Sequence, residues 1–230
     1  MIKLKEIIDN LIFFVGAGVS TASGLRDFKG ENGIYKEKYE KRAEYYLSAG
    51  CFYREPEVFY KFYKENMNAL NVKPNIIHYY LTKLEKLGKL KAIVTQNIDG
   101  LHQKAGSKNV LEVHGTTYKN HCTKCGKEYS AEFVFHSDGV PKCSCGAIIK
   151  PDVVLYGEMF PDAYNLAVSY IYRAETLIVA GTSLTVEPAC GLVKLFNSKN
   201  LVIINDTPTQ YDNLATLVIH EKMEGVINKI

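Results

Sequence analysis

A parallel β-sheet covered by helices on both faces is predicted, and two patterns predict it. Short apolar runs without strict polar alternation recur along the 230 residues, each ending in small or polar residues, as strands buried on both faces do. Helical periodicity fills several of the gaps, and strand, helix, strand at that rhythm makes a parallel sheet. The runs are 11–15 before Gly16, 92–94 before Thr95-Gln96-Asn97, 153–155 before Tyr156-Gly157, 177–180 before Gly181-Thr182-Ser183, and 201–204 before Asn205-Asp206. Pro74 opens a predicted helix with a stripe of Ile77, Leu81, Leu84 and Leu87, and Gly88 stands where a C-terminal stop belongs. In such sheets ligands bind beyond the carboxyl ends of the strands. Most of the small and polar clusters fall there.

Two stretches interrupt this rhythm. Residues 31–79 are rich in Tyr, Lys and Glu, with a helix expected from Pro56 whose apolar face is Phe59, Phe62, Tyr63 and Leu70. Residues 118–150 hold two close cysteine pairs and little that could form a core. Both are read as insertions packed together into a small second domain, leaving 1–30, 80–117 and 151–230 to the sheet. Within 31–65, seven Lys and Arg face seven Asp and Glu, a mixed-charge surface rather than the positive groove that stacking aromatics need. With 28 basic and 25 acidic residues overall, no specific nucleic-acid partner is expected. The apolar stretch 11–19 is about half a membrane span. Lys3, Lys5, Glu6 and Asp9 precede it and no small-residue cleavage site follows, so the chain is expected to be cytoplasmic, without a membrane partner.

Gly16-Ala17-Gly18-Val19-Ser20 follows the first run. Glycines there permit a tight turn and close approach of backbone to a pyrophosphate, with the next helix's N-terminus facing the anion. Alone the signal is weak. Thr21 stands where Gly-x-Gly-x-x-Gly has its third glycine, and no second strand brings an acidic residue to a ribose about twenty residues on. A plain dehydrogenase is not expected. Cys122-x-x-Cys125 and Cys143-x-Cys145, with 17 residues between the pairs, have the spacing of metal ligands. Four thiolates suit tetrahedral zinc and close its shell, which makes the metal structural. An iron–sulfur cluster meets the same ligand count, and His121 is a conceivable alternative ligand. Cys51 and Cys190 stand alone and read as small buried hydrophobes.

Taken together, residues 16–30, Thr95-Gln96-Asn97-Ile98-Asp99-Gly100-Leu101-His102, Glu112-Val113-His114-Gly115, Val154-Leu155-Tyr156-Gly157-Glu158, Gly181-Thr182-Ser183-Leu184 and the cysteine pairs resemble the sirtuin family, in the family's order. The resemblance runs from about residue 5 to about residue 225. It implies a Rossmann-like NAD-binding domain, a small zinc-bearing domain and the chemistry of an NAD-dependent protein-lysine deacetylase: acyl-lysine and NAD go to lysine, nicotinamide and O-acetyl-ADP-ribose. It places His114 as the catalytic base, and an imidazole with an unperturbed pKa of about 6.5 suits that task. Asn97 and Asp99 fall in the nicotinamide pocket with Ile98, and Gln96 on the ribose. His102 is expected to be structural. Gly16, Ala17, Gly18, Ser20, Thr21, Asp27, Phe28, Lys29 and Tyr35 fall on the cofactor loop. Thr182, Ser183, Asn205, Asp206 and Lys222 fall on the phosphate and adenosine side. Val153, Val154, Tyr156, Gly157 and Glu158 form the strand that pairs with an acetyl-lysine peptide, an interaction made mostly through main chain.

Two departures from the family's pattern stand out. Leu25-Arg26-Asp27-Phe28-Lys29-Gly30 lacks the proline and arginine of Gly-Ile-Pro-Asp-Phe-Arg-Gly. Members that prefer succinyl-lysine carry Tyr-x-x-Arg beside the acyl group, whereas this chain has Tyr60-Lys61-Phe62-Tyr63; acetyl is the expected substrate, with Arg26 and Arg42 as the remaining cationic candidates. The rival enzymatic reading is mono-ADP-ribosyl transfer or NAD hydrolysis in the same pocket. The non-enzymatic rival is a zinc-ribbon nucleic-acid module that merely retains the fold.

Overall fold

The computed structural model describes residues 10–28, 30, 33–36 and 39–227. In chain order its strands are β1 (Leu11–Val15), β2 (Leu90–Thr95), β3 (Val110–Glu112), β4 (Gly115–Cys122), β5 (Glu128–Ser130), β6 (Ile149–Val153), β7 (Thr176–Ala180), β8 (Asn200–Ile204) and β9 (Leu217–Ile219). The helices are α1 (Ala43–Tyr46), α2 (Ala49–Arg54), α3 (Pro56–Asn66), α4 (Ile76–Lys86), α5 (Leu101–Ala105), α6 (Ala131–His136), α7 (Asp162–Arg173) and α8 (Met223–Ile227). None of the described helices is long and apolar enough to cross a membrane.

Six strands make one parallel sheet in the order β3-β2-β1-β7-β8-β9. The chain winds outward from β1 through β2 and β3, then resumes at β7 on the other side of β1. Between β1 and β7 the winding reverses, which opens a crevice at the carboxyl ends of these strands. The continuous apolar run of β1 follows from burial on both faces. Ile12 and Phe14 pack with Leu177, Val179, Ile203 and the α7 residues Ala167 and Ile171. Leu11, Phe13 and Val15 pack with Ile178, Val202, Ile77 and Leu81 of α4, and Val226 of α8.

The second sheet is antiparallel, in the order β5-β4-β6. Its core joins residues from both interrupting stretches: Phe59, Tyr60, Phe62 and Tyr63 of α3 with Val134, Phe135 and Ile149. Tyr63 stacks between Phe59 and Phe135, with ring centroids 5.4 Å and 5.5 Å away. Residues 118–150 thus supply core side chains that were not expected of them. Leu70 lies beyond the end of α3 and packs on the same cluster from outside.

Three local expectations change. The run 153–155 is not a strand of the parallel sheet: β6 ends at Val153 and belongs to the small sheet. After Gly16 come two short 3-10 turns, Ala17–Val19 and Thr21–Ser23, instead of an α-helix. The predicted helix after Pro74 begins at Ile76, with the Asn75 side chain accepting from Ile77 N at 2.9 Å. Leu87 caps its far end and is exposed rather than part of the stripe.

His102 lies in the interior against His78 of α4, with ring centroids 4.7 Å apart. His78 Nδ1 accepts from Asn75 N at 3.2 Å, so its neutral ring carries the proton on Nε2. Burial holds His78 at a pKa of about 4, and burial with the neighbouring His78 holds His102 at about 3. Both imidazoles titrate at about 6.5 once unfolded. Between those values the unfolded chain binds more protons, so this contribution to stability is full above about pH 6.5 and is lost as the pH falls through the folded values. Urea unfolding should give a free energy that declines over that window, with a shallower decline for His102→Leu. An unchanged slope in that variant would remove the pair as the cause.

Candidate active site and metal centre

The crevice is shaped by backbone meeting backbone. Gly18 N donates to Gly181 O at 2.8 Å, and a Cβ on Gly18 would lie 2.8 Å from Gly181 Cα. On Gly16 a Cβ would lie 2.6 Å from Thr182 Cβ. Gly181 itself adopts φ +60°, a left-handed conformation that glycine reaches without strain. The glycines predicted for close approach to a pyrophosphate therefore also serve the approach of the β1 and β7 ends to each other.

Around this contact a cavity of about 950 Å³ runs between the two sheets. Gly16, Ala17, Gly18, Thr21, Asp27, Phe28 and Tyr35 line it from the loop after β1. Gln96, Asn97 and Ile98 line it after β2, His114 after β3, Thr182 and Ser183 after β7, and Asn205 and Asp206 after β8, with Lys222 before α8. Val153, Val154, Tyr156, Gly157 and Glu158 form the opposite wall. Lys29 lies outside the described residues. Ser20 and Asp99 are brought close but stand behind the lining: both are buried.

Their position has a bonding logic. Ser20 Oγ donates to Asp99 Oδ2 at 2.7 Å and accepts from Asn97 Nδ2 at 3.0 Å, while Leu101 N donates to Asp99 Oδ1 at 2.9 Å. Burial raises the Asp99 pKa, and the Leu101 and Ser20 donors work against that rise. The Asn97 amide is thereby fixed at the cavity edge by a hydroxyl and a carboxylate behind it. Gln96 Nε2 donates to Thr182 Oγ1 at 3.1 Å, joining the ends of β2 and β7.

At His114, Nδ1 stands 3.0 Å from Gln96 O. A carbonyl oxygen only accepts, so Nδ1 carries the proton and Nε2 keeps its lone pair. Burial lowers the pKa of this imidazole, and the bond to Gln96 O acts in the opposite direction. The ring is therefore a neutral base at physiological pH, packed 5.9 Å from the Phe160 ring.

Sequence reasoning missed several lining residues, among them Phe160, Leu47, Met67 and Val186. Each is apolar and reaches the cavity through tertiary packing, which leaves no local signal. Tyr63 lines the cavity as well, and so does Arg26.

The four cysteines converge, with all four Sγ atoms within 4.8 Å of one another. Cys122 and Cys145 Sγ are 3.4 Å apart, and Cys125 and Cys143 Sγ 3.6 Å. Zinc–sulfur bonds of about 2.3 Å in a tetrahedron place sulfurs about 3.8 Å apart, so the set fits that ion. Main-chain N–H groups at Cys125 and Lys124 point at Cys122 Sγ, and Cys145 N points at Cys143 Sγ. These bonds lower both thiol pKa values, as thiolate ligands require. His121 is not a ligand: its Nδ1 pairs with Asp152 Oδ1.

A parallel sheet with a crevice at its switch point, a buried neutral histidine and a four-cysteine knuckle define a nucleotide-binding α/β enzyme with a metal-supported second sheet. A model of the Sir2 family matches residues 16–188. The NAD-dependent protein deacetylase of Clostridium perfringens is 51% identical over 99% of this chain and 97% of its own. That of Staphylococcus epidermidis is 45% identical over 99% and 95%. A solved structure of Sir2 with p53 peptide and NAD+ superposes with a TM-score of 0.86 at 37% identity, covering 99% of this chain and 97% of that one. A further Sir2 structure, with deacetylated p53 peptide and 3'-O-acetyl ADP ribose, reaches 0.91 at 38% identity over 99% and 97%. The chain belongs to the Sir2 family.

Elemental analysis of the pure protein should find one zinc per chain. Cys143→Ala should lose it and lower the unfolding temperature, because binding of a structural ion is part of the folding free energy. A metal-free variant of unchanged thermal stability would contradict the structural role.

Proposed function

We propose that the protein is a cytoplasmic NAD-dependent protein-lysine deacetylase that converts acetyl-lysine, NAD and one water to lysine, nicotinamide and O-acetyl-ADP-ribose. The observation that carries this reading is the free Nε2 of His114 beside the Asn97–Ser20–Asp99 network, in a chain of the Sir2 family. NAD supplies an electrophilic ribose carbon and a nicotinamide leaving group. His114 is the base, taking a ribose hydroxyl proton on Nε2 while Gln96 O holds Nδ1–H and fixes the tautomer. Asn97, oriented by Ser20 and Asp99, bonds the nicotinamide carboxamide, and Ile98 packs against the ring. Gln96 faces the ribose. Thr182, Ser183, Asn205, Asp206 and Lys222 face the phosphates and adenosine. Asp27, Phe28 and Tyr35 wall the cofactor side of the cavity.

Two units divide this work. Residues 1–30, 80–117 and 151–230 bind NAD, and 31–79 with 118–150 form the zinc-supported unit. Helix α4 and strand β4 run across these seams: α4 packs on the parallel sheet through Ile77 and Leu81, and β4 pairs with β5 and β6. The acetyl-lysine peptide enters along Val153, Val154, Tyr156, Gly157 and Glu158, where main-chain pairing makes recognition tolerant of sequence.

Mass spectrometry of an acetyl-lysine peptide, with and without NAD, tests the reading. Loss of the acetyl group only with NAD, and appearance of O-acetyl-ADP-ribose, is expected. ADP-ribosylated peptide, or NAD consumption with the peptide intact, would replace it with a transferase or hydrolase. His114→Ala should lower turnover by about 10²–10⁴-fold with a much smaller change in NAD binding. Because burial lowers the His114 pKa, the acid limb of kcat/KM for the free enzyme should fall below the ordinary value of about 6.5.

Acyl selectivity follows from α3. Tyr60 is buried and its hydroxyl is taken by Ile149 O, and burial raises the Tyr63 pKa, so that this phenol stays neutral. Neither offsets the cost of burying a distal carboxylate. Deacetylation should therefore have a higher kcat/KM than desuccinylation of the same peptide. The reverse order would place Arg26, which lines the cavity, against the acyl carboxylate.

A further inference from the structure

Residues 154–158 run along the cavity wall beyond the end of β6, where a single bridge between Tyr156 and Ser48 takes the place of a strand ladder. What shapes them is a buried ammonium. Lys150 is 8% exposed, a degree of burial lysine seldom shows unless it is paired. All three of its donors are used: Nζ bonds Pro151 O at 3.1 Å and Val153 O at 3.2 Å, and lies 3.0 Å from Glu158 Oε2. That same carboxylate oxygen accepts from Leu155 N at 2.9 Å, and Glu158 N returns to Leu155 O at 2.9 Å. Lys150 and Glu158 thus close the segment into a fixed curve from inside. From outside, Val154 N bonds His114 O at 2.9 Å and Tyr156 N bonds Leu47 O at 3.0 Å.

We propose that Lys150 is a positioning residue for the peptide substrate, holding through Glu158 the curve that presents Val154 and its neighbours for main-chain pairing. The inference rests on the deacetylase reading above. Without the ammonium, Val153 O and Pro151 O lose their donor and the Glu158 carboxylate loses its cation. Glu158 already has 22% of its side chain exposed, so water competes for the freed carboxylate and Leu155 N loses its acceptor. A peptide that draws affinity from main-chain bonds then has to order the segment it pairs with. The NAD contacts proposed for Thr182 and Asn205 sit on other elements. The effect therefore falls on the peptide and spares the cofactor.

The test is steady-state kinetics on the zinc-loaded full chain with an acetyl-lysine peptide and NAD varied separately. Lys150→Met should raise the peptide KM about tenfold or more, the scale of one lost charge-assisted hydrogen bond, with kcat and the NAD KM within about twofold. Lys150→Arg, which keeps the cation, should bring the peptide KM most of the way back. A general packing defect would raise both KM values and would not be rescued. Because removing one partner of a buried pair can unfold a protein, Glu158→Gln provides a second arm. It keeps an acceptor for Leu155 N but loses the charge, and a severalfold rise in the peptide KM is expected. If Lys150→Met gives no cooperative unfolding transition, Glu158→Gln decides. An active unsubstituted enzyme whose peptide KM is unmoved in the folded variants overturns this inference alone. An unsubstituted enzyme that does not deacetylate overturns the parent reading and this inference with it.

Discussion

Removing side chains where β1 and β7 end allows two main chains to touch there, and the rest of the site is arranged around that contact. Gly18 N bonds Gly181 O, Gly181 N bonds Ile204 O, and Gln96 N bonds Val15 O. The ends of four strands are thus laced together through peptide groups. Side chains from four separated segments can then point into one crevice without long loops to carry them. A methyl group at Gly16 or Gly18 would push the strand ends apart and move every polar group that depends on them.

Around that contact, polar groups are held in pairs and relays rather than singly. Ser20 carries the connection between Asn97 and Asp99, and Gln96 uses its carbonyl on His114 and its amide on Thr182. Buried polar groups are stable only when bonded. Once bonded, they give reacting groups an orientation that water cannot scramble. The neutral state of His114 is part of the same economy, since burial that excludes water also discourages the imidazolium.

Much of this was legible in the sequence, for physical reasons that differ by element. Leu11–Val15 and Thr176–Ala180 announce themselves because burial on both faces leaves no polar alternation. The cysteine pairs announce themselves because a tetrahedral ion dictates close spacing. The run 153–155 misleads because Val153 and Leu155 are buried in the small sheet's core while Val154 lines the cavity, and composition alone does not say which sheet covers a run. Phe160 and Met67 were invisible because their place in the cavity depends on tertiary packing. The 3-10 turns after Gly16 replace the expected helix where Gly16 O and Ala17 O accept from residues three positions on. Asn75 Nδ2 also bonds Val19 O and Ser23 Oγ, so α4 fixes those turns from a distance no local pattern reports.

The small sheet's core is assembled from two stretches of chain that are far apart in sequence, and this has a consequence for synthesis. The Tyr60 hydroxyl meets the carbonyl of Ile149, a partner 89 residues later. At about 5–20 residues per second, roughly 4–18 s separate the appearance of the two on a ribosome. During that interval Phe52 and Tyr46 are available to Phe59, Tyr60 and Phe62, but Tyr63 lacks the Phe135 ring that stacks on it, while β1 also waits for β2 and β7. The helical insertion therefore emerges as an obligate client of sequence still to be translated, and the cysteine pairs arrive late enough to act as the clasp. In such an order of events, the metal joins a core whose first half has already been made.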